Sequence, residues 1–455
     1  MHNRKLFGTD GMRGVAGRYP LDQETVLKFG KALGTLLQKM NGAGRPQAVL
    51  GEDTRESSHW ISEALAAGVR STGTRLIYAG VITTPGIAFL TRHYGLTAGI
   101  MVSASHNPYY DNGVKVFANS GLKLSEAQEL EIEQAIERED PEHGLHLHEA
   151  LAAEPAFLGQ YVAYLKSLLT GSLRLPQTPL VVDCANGAAS RVVPALLKEL
   201  GIEARILHAA PDGRNINFHC GSLHPESMAH ETRVSEACLG VAFDGDADRA
   251  IFATREGHIA DGDHVLYAVA PFMERHQNLK GHTVVGTQMT NLGLENALEQ
   301  WGIALKRTAV GDRYVLEEML RSGYNLGGEP SGHIIFADLS LVGDGMITLL
   351  QVLRLLGDTG VSFTELVRGL KPYPQIIRNV PVRDKRPLES LPEVARTIEA
   401  CGHALGKTGR IIVRYSGTEP LARVMVEAED MADVERHVAR IAKAIESAIG
   451  ATEQS

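Results

Sequence analysis

The chain reads as an α/β protein: three similar αβ domains with mostly parallel mixed sheets, followed by a smaller α+β domain. Three observations predict this. Short apolar runs of strand length alternate with segments whose apolar residues recur at helical spacing. That rhythm restarts twice, giving units of similar size without a residue-level repeat. Beyond Pro372 and Pro374 the texture changes to two strand-like runs and a long amphipathic helix. At 455 residues the chain is too long for one core and divides into several domains.

Taken in order, residues 22–40 put Val26, Phe29, Leu33, Leu36, Leu37 and Met40 on one helical stripe. Ala48-Val49-Leu50-Gly51 reads as a buried strand. A helical pattern follows (Trp60, Ile61, Ala64, Leu65), then the strand Leu76-Ile77-Tyr78, a short helical pattern and the strand 98–103. Such a βαβ order places helices over a parallel sheet. The polar stretch 139–156 reads as a connector. The second unit has a strand at 179–183, a helix at 189–200 and a strand at 239–243. The third has strands at 283–286 and 325–328 and helices at 292–301 and 346–356. In the last domain, strands at 410–413 and 421–427 precede a helix striped by Val434, Val438, Ile441, Ile445 and Ile449. The expected domains are 1–150, 151–255, 256–370 and 371–455.

Composition narrows the function. With 44% hydrophobic and 22% charged residues, the chain can fill cores and is not disordered. Its net charge is -9, and no basic stretch is dense enough to follow a nucleic-acid backbone. A small anionic substrate in a locally basic cleft remains compatible with that charge. The start lacks the apolar core of a signal peptide, and no run nears the ~18 apolar residues of a membrane helix. Cys184, Cys220, Cys238 and Cys401 show no CxxC spacing. They read as reduced thiols of a cytoplasmic protein with neither nucleic acid nor membrane as partner.

Four segments carry chemistry. In Phe243-Asp244-Gly245-Asp246-Ala247-Asp248-Arg249, three carboxylates alternate directly after an apolar strand. At ~4 Å and an effective dielectric of ~20, each like-charged pair costs about 4 kcal/mol. A bound dication relieves this, and all-carboxylate ligation suits Mg²⁺, Mn²⁺ or Ca²⁺ rather than zinc. An EF-hand is excluded, because Arg249 and Arg255 stand where its Gly and Glu belong. A solvated Asp-rich loop is the plainer alternative; the position after a strand, where open α/β sheets bind ligands, favours metal.

The second segment is MVSASHNPYYDNGVK, residues 101–115. Ser105, His106 and Lys115 sit among turn-formers, without the GxSxG of a hydrolase elbow. Taken alone, Ser-His-Asn-Pro reads as a turn ending a strand. The third, 327–333, combines Glu329, Ser331 and His333 on a Gly-rich loop suited to sugar hydroxyls. The fourth, 414–420, offers Arg414, Ser416, Gly417 and Thr418 to a phosphate. Each of these loops also reads as an ordinary turn. His143, His146 and His148 read as a solvated loop rather than a metal site.

Together these segments, in this order and one per expected domain, resemble the α-D-phosphohexomutase superfamily over almost the whole chain. Phe7-Gly8-Thr9-Asp10-Gly11-Met12-Arg13-Gly14, residues 103–113 and Val310-Gly311-Asp312-Arg313-Tyr314-Val315 resemble its glucosamine branch. Pro330 departs from that branch, where Gln is expected. The resemblance implies a heart-shaped molecule with a central cleft. It implies phosphoserine at Ser105, and one Mg²⁺ per subunit on Asp244, Asp246, Asp248 and that phosphoserine. Arg13, His106, Lys115 and Arg249 would surround the moving phosphoryl group, with Lys115 or His333 carrying the proton. Glu329 and Ser331 would bind sugar hydroxyls; Arg414, Ser416, Gly417, Thr418 and Arg423 would hold the other phosphate. The implied reaction interconverts glucosamine 6-phosphate and glucosamine 1-phosphate through a 1,6-bisphosphate, supplying UDP-N-acetylglucosamine synthesis. A bisphosphorylated sugar would be an activator, and the protein a homodimer. Alternatives are the mannose- or glucose-phosphate members, and a non-catalytic, phospho-regulated binding protein.

Overall fold

The computed structural model describes residues 6–8, 11–42, 44–138, 150–169, 179–416 and 419–451. The chain forms two compact units. One comprises Met1–Met289 with Gly302–Gly369, the other Thr290–Trp301 with Leu370–Ser455.

The first unit holds three mixed sheets that share one plan. In the six-stranded sheet the neighbours run Phe7–Gly8, Gly11–Val15, Asp111–Ala118, Ala98–Val102, Gln47–Glu52, Arg75–Val81. The last three pair parallel, and Asp111–Ala118 returns antiparallel beside Ala98–Val102. In the five-stranded sheet, Leu239–Phe243, Leu180–Asp183 and Ala204–Leu207 are the parallel trio. There Ala250–Ala253 makes the antiparallel return, and Ile259–Ala260 extends the edge. In the four-stranded sheet the trio is Leu326–Gly328, Thr283–Thr287 and Ala304–Thr308, with Ile334–Phe336 returning. Each trio is what βαβ crossovers build. Each return follows the last trio strand after a single loop, so three loops occupy equivalent positions at the strand ends: residues 103–110, 244–249 and 329–333.

Helices cover these sheets with the residues their periodicity points inward. Gln23–Met40 buries Val26, Phe29, Leu33, Leu36 and Leu37 against Leu50, Ile100 and Val102. Full burial of such a side chain contributes about 1.5–3 kcal/mol each. Asp22 caps this helix by accepting from the Thr25 N–H at 2.9 Å. Ala189–Leu200 and Leu239–Phe243 form where the pattern places them.

The sequence reading left out the strands Ala204–Leu207, Ala304–Thr308 and Gln375–Pro381 and the three antiparallel returns. The antiparallel returns were not legible, being short apolar runs directly behind polar loops. Lys115 therefore lies on the strand Asp111–Ala118, 2% exposed, and not in a turn. The described part of the expected connector, 150–155, is irregular and leads into the helix Ala156–Ser167, which buries Phe157, Tyr161, Val162 and Leu165. Residues 139–149, with His143, His146 and His148, lie outside the described residues.

In the second unit, Gln375–Pro381, Leu421–Ala428 and Gly409–Tyr415 form an antiparallel sheet with Leu421–Ala428 in the middle. The stripe of the helix Met431–Ile449 (Val434, Val438, Ile441, Ile445, Ile449) packs on Val424 and Val426. The helix Leu292–Glu299 belongs here too. Its Leu292 N–H donates to Glu427 Oε1 at 3.0 Å, and Arg410 Nη2 donates to the Thr290 carbonyl at 2.7 Å. Among the described residues, no helix is long and apolar enough to cross a membrane.

Candidate functional site

The three equivalent loops of the first unit meet one another. Ser105 Oγ donates to Asp244 Oδ2 at 2.6 Å, and the Ala250 N–H, just behind the acidic loop, donates to the Gly332 carbonyl at 3.1 Å. Two glycines permit this closeness. A Cβ on Gly245 would come within 2.6 Å of the Ser105 carbonyl oxygen. Gly332, at φ +87°, would bring a Cβ within 2.3 Å of the Ala250 carbonyl oxygen.

Ser105 is 1% exposed and adopts φ 53°, a left-handed conformation that a non-glycine residue holds only when its surroundings enforce it. Those surroundings centre on Arg55. Its Nη2 donates to the carbonyls of Ser105 and Asn107, each at 2.9 Å. Its Nη1 donates to the carbonyls of Pro108 and, at 3.0 Å, Asp111. Asp53 holds Arg55 through Nε at 2.8 Å, both side chains being fully buried. Asp53 also accepts from Ser58 Oγ and Ser103 Oγ, each at 2.7 Å, and Ser103 Oγ accepts the Ser105 N–H at 2.9 Å. From the five-stranded sheet's side, Asn217 Nδ2 donates to the carbonyls of Ser105 (2.9 Å) and Asn107 (3.1 Å). Sequence reasoning missed Asp53, Arg55 and Asn217. The signal for the first two was present: Asp53-Thr54-Arg55 also follows a parallel strand.

Ser105 Oγ donates to Asp244 Oδ2 at 2.6 Å and lies 3.2 Å from His106 Nδ1. Asp244, Asp246 and Asp248 converge, one oxygen of each lying within 4.8 Å of the others. All three are buried. Lys115 Nζ reaches Asp246 Oδ2 at 2.8 Å and Asp248 Oδ2 at 3.5 Å. Burial first, then the charges of Asp248 and Asp246, push the Asp244 carboxyl well above the ordinary range. Burial works the same way on Asp248. There Lys115, then His333 and Arg249, outweigh it and hold that carboxyl well below. Asp246 Oδ1 and Asp248 Oδ1 are buried without a hydrogen-bond partner. Such orphaned oxygens are costly unless an ion or water satisfies them. The trio is therefore compatible with a metal ion.

Cationic and sugar-type groups stand around it. Arg249 donates its N–H to Asp244 Oδ1 at 3.2 Å. Arg13 lies opposite Gly113 in the sheet. Burial, then Arg249 and Arg13, lower the His106 imidazole to about 4, so it is neutral at pH 7. His333 is 5% exposed, with Nδ1 3.7 Å from Asp248 and Nε2 3.7 Å from Asp312. Burial alone would lower its pKa; Asp248, Asp312 and Glu329 prevail and raise it to about 9. The Gly343 N–H donates to Nε2 at 3.2 Å, which requires a lone pair there and puts the proton on Nδ1, facing Asp248. This hydrogen bond and the acidic surroundings pull the ring in opposite directions. Asp312 is braced by Lys123 at 2.6 Å; neither was singled out from the sequence as a site residue. Glu329 is raised chiefly by burial, and its Oε1 accepts the Gly311 N–H at 3.1 Å. Ser331 Oγ is buried without a partner. Pro330 contributes its carbonyl, which accepts the Gly262 N–H at 3.1 Å.

The fourth loop belongs to the second unit, in the hairpin between Gly409–Tyr415 and Leu421–Ala428. Arg414 and Arg423 pair across these strands. Ser416 is buried, and Arg423 Nη2 donates to Glu419 Oε2 at 3.0 Å. Gly417 and Thr418 lie outside the described residues.

Comparison with known proteins follows the same divisions. Phosphoglucomutase/phosphomannomutase alpha/beta/alpha domains I, II and III match residues 4–143, 159–257 and 261–373, and the C-terminal domain matches 378–444. A phosphoglucosamine mutase of Koribacter versatilis is 49% identical, over 98% of both chains. That of Solibacter usitatus is 48% identical, over 98% of this chain and 99% of its own. Among solved structures, a phosphoglucomutase/phosphomannomutase family protein from Burkholderia thailandensis superposes with a TM-score of 0.80 at 24% identity, over 98% of both chains.

Proposed function

The chain belongs to the phosphoglucomutase/phosphomannomutase family, alongside its phosphoglucosamine mutases, and from that premise we propose that it interconverts glucosamine 6-phosphate and glucosamine 1-phosphate through a phosphoserine at Ser105. The observation that carries this reading is the buried Ser105 hydroxyl, 2.6 Å from Asp244 within a three-carboxylate cluster. A serine there is positioned to carry a phosphoryl group beside a metal.

Phosphorylated Ser105 would bear about -1.5 to -2 charges. Asp244, Asp246 and Asp248, with a phosphoserine oxygen, would hold Mg²⁺, which supplies charge neutralisation for the transferring phosphoryl group. Arg13, Arg249 and Lys115 add fixed positive charge around the same group. In the first transfer the phosphorus–Oγ bond breaks, a bond from phosphorus to the sugar O1 forms, and the O1 proton passes through a base to the departing Ser105 Oγ. We assign that base to Lys115 or His333, whose nitrogens both stand beside the acidic trio. The 1,6-bisphosphate stays bound and turns over. Its 6-phosphoryl then passes to Ser105 Oγ, and the serine proton goes through the same residue to O6, releasing glucosamine 1-phosphate. His106, held neutral, stands 3.2 Å from the free serine hydroxyl between transfers.

Glu329 and Ser331 bind sugar hydroxyls, an unpartnered Ser331 Oγ supporting that role. Arg414, Ser416, Gly417, Thr418 and Arg423 hold the phosphate that is not reacting. The same premise extends to a cytoplasmic homodimer primed by a bisphosphorylated sugar, with no nucleic-acid or membrane partner.

The test compares kcat/KM for glucosamine, glucose and mannose 6-phosphates on phosphorylated protein. Glucosamine 6-phosphate is expected to lead by at least about tenfold, the worth of one well-placed polar contact. A lead for glucose or mannose would transfer the protein to a sister activity.

A further inference from the structure

Among the described residues, a second group of metal-ligating side chains lies apart from the acidic trio, in the five-stranded sheet. Asp183 ends the strand Leu180–Asp183, His208 follows Ala204–Leu207, and Cys220 lies on the loop that next crosses them. One donor atom from each falls within 4.8 Å of the other two. We propose that Asp183, His208 and Cys220 form a metal site that takes a borderline divalent ion of the Zn²⁺ class.

The donor set selects the ion. One thiol, one imidazole and one carboxylate match the ligands of Zn²⁺ and Co²⁺, whereas Mg²⁺ prefers the all-oxygen trio elsewhere. The geometry is nearly assembled. Metal–ligand bonds of about 2.0–2.3 Å in a tetrahedron put donors about 3–4 Å apart. His208 Nδ1 already lies 2.9 Å from Asp183 Oδ2. That nitrogen is buried, and the Asp183 carboxylate beside it raises the His208 imidazole above its ordinary value. Two donors side by side, with Cys220 Sγ within 4.8 Å of both, are what an ion requires.

Backbone groups orient the carboxylate. Asp183 Oδ1 accepts the Ala185 N–H at 2.8 Å, and Oδ2 accepts the Gly221 N–H at 3.0 Å. Burial, then the Asp183 charge, pushes the free Cys220 thiol up to about 12, so the ion must displace its proton; Asn186 Nδ2 lies 4.0 Å from Sγ. Asp183 and Cys220 are fully buried, while the His208 side chain is one-third exposed and gives the ion its way in. On binding, Cys220 releases its thiol proton to solvent and His208 presents the Nδ1 lone pair, keeping its proton on Nε2.

Such an ion would stiffen the support of the serine loop. Asn217, three residues before Cys220, donates its N–H to the Ala185 carbonyl at 2.9 Å and its side-chain amide to the Ser105 and Asn107 carbonyls. Metal ties both segments that hold Asn217.

The experiment is a Co²⁺ titration of the full chain in excess Mg²⁺, which keeps the acidic trio saturated. The expected result is one equivalent of Co²⁺ with a thiolate-to-cobalt charge-transfer band, displaced by Zn²⁺. The band should vanish in Cys220→Ser, weaken at least tenfold in affinity in His208→Gln, and persist in Cys238→Ser. Zn²⁺ should also raise the Tm of the wild type and leave that of Cys220→Ser unchanged. Binding without a thiolate band, or a band that survives Cys220→Ser, overturns the proposal. A Cys220→Ser protein that misfolds is recognised by its circular dichroism. His208→Gln, at a one-third exposed position, then decides: unchanged Co²⁺ affinity there also overturns it.

Discussion

The serine loop and the arginine loop both serve phosphate in the proposed reaction, and they are built in opposite ways. Around Ser105, carbonyl after carbonyl is held by Arg55 and Asn217, and Arg55 is itself locked by a fully buried carboxylate. Around Arg414 the guanidinium is exposed, Ser416 Oγ reaches Glu419 only at 3.4 Å, and Arg423 is braced by a half-exposed pair with Glu419. Bond making needs reacting atoms fixed to a fraction of an ångström, and only burial enforces that. Holding a phosphate that must later be released needs positive charge and little else. Rigidity follows the chemistry, and solvent exposure follows the exchange.

The contrast breaks most sharply at the nucleophile. Ser105→Ala should lower kcat by more than about 10⁴-fold and remove the mass of one phosphate from the intact protein. Normal turnover by that variant would remove the serine loop from the chemistry. Next comes the metal: Asp246→Asn, or excess EDTA on the wild type, should reduce kcat by about 10²–10³-fold while circular dichroism stays native. Full activity in EDTA would contradict the metal assignment. Arg55→Lys keeps the charge but loses the fork that spans four carbonyls. It should reduce kcat by about 10–100-fold with KM little changed, because Arg55 shapes the loop without touching substrate. In the arginine loop the pattern should invert. Arg414→Ala should raise KM about tenfold, lower kcat less, and leave the phosphoserine mass intact. Equal kcat losses for Arg55→Lys and Arg414→Ala would erase the distinction.

Helix caps give the same comparison in its mildest form. Asp344 caps Gly345–Thr359 from full burial and accepts from Tyr161 Oη at 2.7 Å; burial above all raises its carboxyl to about 6. Its unfolded value is about 3.9. Between these values the native state binds the proton more tightly, so its stabilising share is present below about pH 4 and is lost as pH rises through about 6. Asp430 caps Met431–Ile449 at the surface. Urea denaturation from pH 4 to 7 should therefore show a loss on the order of 1–3 kcal/mol that Asp344→Asn flattens and Asp430→Asn leaves in place.

Much of the site was legible because its motifs follow strand ends. The acidic triplet, the serine and the Glu-Pro-Ser loop each stand directly behind an apolar run, and polarity after such a run marks a loop over a buried sheet. Lys115 was read correctly as a residue type and wrongly as a place, because Asp111-Asn112-Gly113 looks like a turn and is the start of a buried strand. Arg55 was passed over because a lone arginine near a helix start is an ordinary surface residue until something closes around it.

The sequence by itself determined the parallel trio of the six-stranded sheet, two strands of each other trio, several covering helices, the amphipathic last helix and the chemical groups at the loops. These depend on periods of two and 3.6 residues and on turn chemistry, which act within a few positions along the chain. Only the tertiary structure decided that Ser105 meets Asp244 across 139 positions, that Lys115 meets Asp246 across 131, and that Asp183, His208 and Cys220 share one point. Such meetings depend on how whole sheets pack. The antiparallel returns that set the three loops in register carry no local signal beyond a few apolar residues.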